Sequence, residues 1–231
     1  MATPPNVRQR RLVRTKTSAA VVAYVLEELF DGRLKSGDRI ELDAVGAALG
    51  VSRIPVREAM VILERDGIVS TKYHRGVYVE PFDAESIIDD FEIMGLLSGV
   101  AVRRLAEKQN PETVAALERL VDALRRSDPG DREHIFELVR QIMMLEHRAG
   151  GSRRLRAELR SYAGFLPQGF RIISGRSHAA TVDAHSLVLR SIVAGDGDSA
   201  ARHRLEDFRD AGTRVVGELE RRGVLNSQPM S

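Results

Sequence analysis

The period of the hydrophobic residues changes twice along the 231-residue chain, and no other sequence feature restricts the fold as strongly. From 17 to 65, apolar side chains recur with the 3.6-residue period of amphipathic helices. Between Gly67 and Pro81 they alternate with a period of two, which is typical of short strands. The helical period then returns over 83–222. We therefore expect three helices, a β-hairpin and a long all-helical region, in that order.

The first three helices carry sequence signals at their ends. The first is expected to begin at residue 17 or 18. Asp43 is expected to cap a short second helix that stops at Gly50, and Ser52 is expected to cap the third. Residues 72–76 would connect the two strands of the hairpin that follows. Three helices followed by a hairpin predict a winged helix-turn-helix.

Turn signals divide the long helical region into six segments. Pro111 suits a helix start, while 128–130 and 195–197 contain the Gly and Pro residues of turns. The predicted helices lie near 84–109, 111–127, 131–149, 152–173, 177–194 and 197–222. Short connections between so many helices favour an antiparallel bundle. The expected fold class is mostly α, with an N-terminal winged helix-turn-helix, a small β-hairpin wing and a C-terminal antiparallel bundle of about six helices.

Composition and missing motifs exclude several kinds of protein. The chain has no cysteine, which excludes a disulfide scaffold, a zinc ribbon and a thiol nucleophile. Its longest apolar run, Ala19–Leu26, is far shorter than the roughly 20 residues of a membrane-spanning helix. The motifs of serine hydrolases, zinc proteases and phosphate-binding loops do not occur. We therefore expect a cytoplasmic protein that is not an enzyme and has no membrane partner.

Basic side chains dominate the extreme N-terminus. The net charge of the chain is only +2, too small to make the whole protein attract nucleic acid. No acidic residue precedes Glu27, however, and five basic side chains do. These are Arg8, Arg10, Arg11, Arg14 and Lys16. Residues 1–16 are therefore interpreted as a basic flexible arm, of the kind that reaches phosphates or the minor groove of DNA.

The start of the third predicted helix has the residue types that read DNA. In a helix-turn-helix, the first turn of the second helix of the motif enters the major groove. Arg53 and Arg57 are four residues apart and share one face there, and an arginine can pair with guanine or clamp a phosphate. The loop of the hairpin adds further cations that suit the DNA backbone. The predicted DNA-binding residues are Ser52, Arg53, Pro55, Arg57, Lys72, His74, Arg75 and Gly76.

The stretch 49–60 reads L-G-V-S-R-I-P-V-R-E-A-M and resembles the signature L-G-V-S-R-T-P-V-R-E-A-L of GntR-type bacterial transcriptional regulators. The resemblance extends over about 17–81 and includes the R-G-x-x-V pattern of the wing at 75–79. One departure is Ser36, where the family's G-x-L-x-P-G turn has proline. The resemblance implies a dimer on a short palindrome, with Arg53 and Arg57 as base or phosphate contacts and His74 and Gly76 at the wing.

The helical region resembles the FadR-type (FCD) branch of that family more weakly, mainly through an A-G-D-x-x-x-A-A turn at 194–201. Members of the branch bind a small effector inside the bundle, and many hold it beside a metal bound by one Asp and three His. By this resemblance His185 matches one ligand histidine. Val139 and Met143 stand at an Asp-x-x-x-His ligand pair, and Asp207 stands at the final histidine. Met94 stands where members present an arginine to an effector carboxylate.

These replacements argue against a metal ion and for an apolar effector. A divalent ion needs about four to six donors, and His185 with Asp207 supplies two. His147 and His203, each one turn from a ligand position, would have to complete a rearranged site. No metal or other cofactor is therefore favoured. The predicted pocket, lined by Met94, Val139, Met143, His185 and Asp207, suits a hydrophobic effector such as a fatty acid or acyl-CoA.

Together these features predict a ligand-responsive transcriptional regulator that binds a palindromic operator in double-stranded DNA as a homodimer. Repression of transcription is favoured over activation. Two alternatives stay open. One is a metal-dependent regulator of the same branch that senses a small organic acid. The other is a DNA-binding dimer that responds to no ligand. The predicted domains are an arm at 1–16, a DNA-binding domain at 17–81, an effector-binding and dimerisation domain at 82–222 and a tail at 223–231.

Overall fold

The computed structural model describes residues 7–65, 67–73, 75–81, 83–161 and 176–225. The chain divides into two compact units, one formed by 1–83 with 219–231 and the other by 84–218. The elements of the first unit are α1 (Val7–Phe30), β1 (Arg39–Ile40), α2 (Leu42–Leu49), α3 (Arg53–Arg65), β2 (Val69–Lys72) and β3 (Gly76–Val79). Those of the second are α4 (Ala84–Lys108), α5 (Pro111–Arg126), α6 (Arg132–Gly150), α7 (Arg153–Ser161), α8 (His178–Val193) and α9 (Gly197–Arg221), whose last residues belong to the first unit.

Helix α1 begins at Val7, ten residues before the predicted start. Residues 7–16, which the sequence predicted to be part of a flexible arm, are therefore helical. Their apolar residues are too few to show a helical period, although Arg, Gln and Leu all favour helices. Residues 1–6 of the predicted arm lie outside the described chain. Beyond Thr17, α1 buries one face on α3, with Val25 and Leu29 fully enclosed.

The turn between α2 and α3 is held by a left-handed residue. Gly50 has φ of 64°, and its N–H donates to the carbonyl of Ala47 while that of Val51 donates to Gly46. This Gly-centred pattern satisfies the last carbonyls of a helix. Gly46 also allows a close approach, because a Cβ there would lie 3.1 Å from the carbonyl oxygen of Val51. The turn thus fixes the direction in which α3 leaves α2.

The wing has three strands among the described residues, one more than the predicted hairpin. The strand order is β1-β3-β2, and both pairings are antiparallel. Arg39 pairs with Tyr78 and Ile40 with Val77 in the added pairing. A two-residue strand is too short to show an alternating pattern, so no local pattern predicted it. The sheet buries Ile40 and the valines of β2 and β3 against the helices.

The second unit is all-helical, as predicted, and its six described helices match the predicted segments. The fourth, α7, is described only to Ser161, so the remainder of the predicted 152–173 helix lies outside the described residues. Buried aliphatic residues from α4, α5, α6 and α8 form one continuous core. They include Val102, Leu105, Leu117, Val121, Leu124, Ile142, Val188 and Ile192. The mostly helical fold class is confirmed.

Two glycines allow helices to approach α4 closely. A Cβ on Gly150, the last residue of α6, would overlap the carbonyl oxygen of Ala101. A Cβ on Gly95 would lie 3.0 Å from side-chain atoms of Leu205 and Phe208 on α9. Helices α6 and α9 therefore pack on α4 at positions where no larger residue fits.

The C-terminal segment belongs to the first unit. Leu219 and Leu225 are buried, Arg222 forms an ion pair of 3.1 Å with Asp31, and Val224 lies beside Gly32. Residues 223–225, predicted to begin a tail, are thus packed, while 226–231 lie outside the described chain. None of the helices that the structure describes is long and apolar enough to cross a membrane.

Candidate DNA-binding surface and helical-domain cavity

Arg53 and Arg57 lie on the first two turns of α3, and both are exposed. The guanidinium of Arg53 donates to both carboxylate oxygens of Asp43, each at 2.8 Å. Such an exposed pair contributes little to stability, but its two-point geometry orients the guanidinium. Arg57 makes no hydrogen bond or ion pair within the described chain. Its charge is therefore available to an anion from outside the protein.

Three other predictions around this helix have different outcomes. Ser52 is exposed immediately before α3, where its hydroxyl is open to a partner. Pro55 is buried, because the first turn directs its ring into the domain, so it shapes the helix start rather than presenting a surface. Asp43 does not cap α2. The cap position is Glu41, whose side chain makes no capping bond, and Asp43 lies in the first turn, where it holds Arg53.

The wing presents Lys72 and Arg75 on either side of a tight loop. The N–H of Arg75 donates to the carbonyl of Lys72 at 2.9 Å and closes the loop, and Gly76 has φ of 104°, which favours glycine. The ammonium of Lys72 lies 4.7 Å from the centre of the Tyr78 ring. Both cations are exposed. His74, also predicted to contact DNA, lies outside the described residues.

Arg39 is a third cation of the wing, and no sequence pattern predicted it there. A Cβ on Gly76 would lie 3.0 Å from Nε of Arg39, so the guanidinium covers the glycine. Arg39 comes there through the pairing of β1 with β3, which no local pattern indicated. Glu64 on α3 was also missed. Its carboxylate accepts from the N–H and hydroxyl of Thr71 at 2.8 and 3.1 Å and ties the wing to α3.

The second unit contains a cavity of about 540 Å³ between α6, α8 and α9. Four of the five predicted pocket residues line it, namely Val139, Met143, His185 and Asp207. Met94 is buried in α4 and does not belong to the described lining of this cavity, and its predicted place in the effector pocket stays a prediction.

A buried ion network, which the sequence analysis also missed, lies beside the cavity. Arg204 has no exposed side-chain surface. One of its terminal nitrogens donates to both oxygens of Glu146 at 2.6 and 2.8 Å, and the other donates to Asp207 at 2.8 Å. Asp207 accepts a second guanidinium bond, 2.6 Å long, from Arg176. The three-residue spacing of Arg204 and Asp207 was visible, but their burial depends on the assembly of α6 with α9.

The network determines the charge of its members. Burial raises the pKa of Glu146, and Arg204 opposes that rise. Burial would also raise the pKa of Asp207, but His185 and the two guanidiniums together lower it. Burial, assisted by Arg204, lowers the pKa of His185 to about 3. His185 is therefore uncharged near neutral pH.

The four residues named for a rearranged metal site do not converge. His147 bonds through Nε2 to the hydroxyl of Ser98 at 2.9 Å, and His203 bonds to Ser191 at 3.1 Å. Asp207 is bound by two guanidiniums, and Nδ1 of His185 faces Arg204 at 3.5 Å. Across the residues that the structure describes, no three His, Asp or Glu side chains are grouped to hold a metal. This donor set does not fit a divalent ion, because the guanidinium of Arg204 contacts both Asp207 and His185, while His147 and His203 bond to serine hydroxyls.

A winged helix-turn-helix that exposes Arg57 on its second motif helix and Lys72 and Arg75 on its wing, together with a cavity in the helical unit, is typical of transcriptional regulators that bind DNA. The family of bacterial regulatory proteins known as gntR matches residues 17–79, and the FCD domain family matches 89–209. The chain therefore belongs to the GntR family of transcriptional regulators and carries an FCD domain.

Relatives in sequence agree with this assignment, and a solved structure agrees with the fold. The chain is 39% identical to an uncharacterised HTH-type transcriptional regulator of Mycobacterium tuberculosis, over 67% of this chain but only 63% of the relative. It is 29% identical to a probable D-xylose utilization operon transcriptional repressor of Paenarthrobacter nicotinovorans, over 57% and 58% of the two chains. The fold is similar to that of E. coli McbR/YncC, with a TM-score of 0.63 and 21% identity over 87% of this chain and 97% of the other.

Proposed function

We propose that the protein is a ligand-responsive repressor that binds a palindromic operator as a homodimer. The observation that carries the DNA-binding part is the exposed guanidinium of Arg57, which has no partner among the described residues and lies on the same helix face as Arg53. A guanidinium at this place in a helix-turn-helix reaches a base edge or a phosphate in the major groove. The similarity to the Paenarthrobacter relative, a probable transcriptional repressor, supports repression rather than activation.

The wing supports binding to the DNA backbone next to the major groove. Lys72, Arg75 and Arg39 form a cationic surface, called here the wing cluster, around Gly76. Contacts of this kind position a protein on the duplex but carry no sequence information. The wing cluster is therefore expected to supply affinity, and α3 to supply specificity.

An exposed apolar stripe on α4 supports dimerisation. Ile93, Leu96 and Val100 are 40%, 52% and 40% exposed and follow one another at spacings of three and four residues, which places them on one helix face. Contiguous apolar surface on a soluble protein commonly marks an interface. A second copy of the chain would cover the stripe and supply the second half-site reader that a palindrome requires.

The cavity supports a small-molecule effector. Its size falls within the range of about 300–1,000 Å³ typical of ligand sites. Ile135, Phe136, Val139 and Met143 give it an apolar wall on α6, as a fatty acid or the acyl part of an acyl-CoA would require. The sensing of a small organic acid through a metal ion is disfavoured, because Arg204 contacts His185 and Asp207, two of the residues that would have to bind the ion.

Binding to operator DNA tests the first part of this proposal. The operator would be selected from random duplexes with the parent protein, and affinity measured by fluorescence anisotropy. We expect Arg57→Ala to weaken operator binding roughly 5- to 150-fold, or about 1–3 kcal/mol. Arg119→Ala, which removes an exposed guanidinium from α5 in the other unit, is the matched control and should bind like the parent. Equal affinity of Arg57→Ala and the parent would refute the assignment of α3 as the reading helix.

A further inference from the structure

The two arginines of the buried network are held in different ways. Both terminal nitrogens of Arg204 are engaged, and its side chain is fully enclosed. Arg176 lines the cavity, is 14% exposed, and contacts Asp207 through one terminal nitrogen. Its buried Nε has no hydrogen-bond partner in the described chain, and the carboxylate of Asp210 lies 3.8 Å from it. Arg176 thus has donor capacity left and access to the cavity.

We propose that the cavity binds an amphipathic monoanion without a metal ion, and that the carboxylate of this ligand takes the place of Asp207 on the guanidinium of Arg176. The proposal rests on the effector role given to the cavity above and names the chemical class of the effector. It assigns to Arg176 the anchoring of the ligand head group. Arg204 is the guanidinium that stays paired with Asp207 when the ligand is bound.

The geometry of Asp207 allows this exchange. Its Oδ1 accepts from Arg176 and its Oδ2 from Arg204, so each oxygen has its own guanidinium. When Arg176 turns to a ligand, Asp207 keeps Arg204, and Arg204 keeps Glu146. No buried carboxylate is left without a counter-charge, which is the condition that makes the loss of a buried ion pair costly. The exchange replaces one ion pair of Arg176 by another.

The N-terminus of α8 adds attraction for an anion at the same end of the cavity. Ser177, His178 and Thr181 line it, and α8 begins at His178. The hydroxyl of Ser177 satisfies the N–H of Ala180, and its carbonyl satisfies that of Thr181. The N–H groups of His178 and Ala179 have no partner inside the helix, and the helix dipole places partial positive charge there. Arg176 and the start of α8 therefore present donors to one region.

The remaining walls limit the ligand to one negative charge and an apolar body. Ile135, Phe136, Val139 and Met143 lie on one face of α6 and line the other side of the cavity. The described lining holds two guanidiniums, Arg132 and Arg176, and two carboxylates, Glu133 and Asp207, and His185 is uncharged at neutral pH. These described residues therefore offer no excess of positive charge to a second carboxylate. An alkyl or aryl carboxylate fits this distribution, and a short dicarboxylate does not.

Calorimetry with matched probes tests this inference. Octanoate and 4-phenylbutyrate carry one carboxylate, octan-1-ol lacks the charge, and succinate carries two charges and little apolar surface. All would be titrated into the full-length protein in the presence of EDTA. We expect the two monocarboxylates to bind at one site per chain, at least tenfold more tightly than octan-1-ol and succinate. Arg176→Met should reduce their affinity at least tenfold and leave that of octan-1-ol unchanged.

A second variant separates an anchoring role from a merely structural one. Asp207→Asn weakens the competitor for Arg176 while Glu146 still holds Arg204, so the monocarboxylates should bind several-fold more tightly. A residue that only maintained the fold would give weaker binding in both variants. The Nε–Hε signal of Arg176 should also shift in NMR spectra when octanoate is added, because that N–H gains an acceptor.

The outcomes distinguish this inference from the proposed function. Metal-dependent binding, octanoate affinity unchanged in Arg176→Met, or no binding of either monocarboxylate would each overturn it. Those results would leave DNA repression by another effector intact. If octanoate binds through Arg176 but leaves operator affinity unchanged, the anion site stands, and the ligand-responsive repressor is refuted.

Discussion

The contact between α4 and α6 yields a stability prediction whose sign is determined by geometry. In the variant Gly150→Ala, the added Cβ would overlap the carbonyl oxygen of Ala101 and lie 2.6 Å from its carbonyl carbon. Ordinary van der Waals contact begins near 3.4 Å, and the oxygen lies closer still than the carbon, so the two helices would have to separate by more than an ångström. The obstacle is backbone, which cannot rotate away as a side chain would.

The expected cost follows from two opposing effects. Overpacking a well-packed contact costs about 1–3 kcal/mol, and more where backbone must move. Replacing a helical glycine by alanine returns up to about 1 kcal/mol. Because Val102 and Ile142 lie in the core at this crossing, separating the helices also loosens their packing. We expect a net loss of roughly 2 kcal/mol, or a decrease of about 4–8 °C in the unfolding midpoint for a chain of this size.

Gly217→Ala is the matched control. Gly217 lies within α9, has an ordinary helical backbone, and a Cβ there would meet nothing within 4 Å. The same substitution should therefore stabilise the protein by about 0.5–1 kcal/mol. Thermal and urea unfolding would be followed by circular dichroism at 222 nm for both variants and the parent. If Gly150→Ala unfolds at or above the midpoint of the parent, the close approach of α4 and α6 is refuted.

Three further predictions concern pH, the second motif helix and a helix cap. The pKa values of His185 and His147 are lowered to about 3 and about 4 from an ordinary 6.5. Between pH 7 and pH 5 these two imidazoles become protonated in the unfolded chain but stay neutral in the folded chain. The free energy of unfolding should therefore fall by about 2 kcal/mol per histidine over this range. His147→Gln should remove about half of that loss, and an unchanged pH profile would contradict this. Asp43→Asn frees Arg53, so operator affinity and the salt dependence of binding should both increase while the unfolding midpoint stays the same; an unaltered salt slope would show that Arg53 does not reach phosphate. Asn110→Ala removes the acceptor of the Thr113 N–H and should cost about 1 kcal/mol in urea unfolding.

Features that depend on short stretches of chain could be predicted from the sequence. The start of α3 with Arg53 and Arg57, the wing loop, and the six helices that the structure describes in the second unit follow from local period, turn residues and spacing. Each of these signals lies within about 30 residues. The hydrophobic period reports which face is buried, and turn residues report where an element ends. Interactions between residues that are close in sequence were therefore sufficient to predict these elements.

Features that depend on assembly could not be predicted in this way. Arg39 reaches Gly76 only through a two-residue strand pairing, and Arg204 meets Glu146 across 58 positions of sequence. A buried arginine in particular looks like an ordinary surface residue until its counter-charges are known. Met94 is buried in α4 and absent from the described lining of the cavity, and a sequence pattern alone does not show which buried residues line it. The guanidiniums of Arg176 and Arg204 were missed, although the apolar wall, His185 and Asp207 were expected.

The return of the chain to its first unit has a consequence for how this protein is made. The buried Leu219 and Leu225, with Arg222 and Val224 beside Asp31 and Gly32, are translated after the helical unit. The first unit therefore cannot reach its complete packing while the ribosome is still synthesising the helical unit. A nascent chain, or a fragment that ends at residue 83, would lack these packed residues. The packing of the first unit is thus complete only after residue 225 has been synthesised.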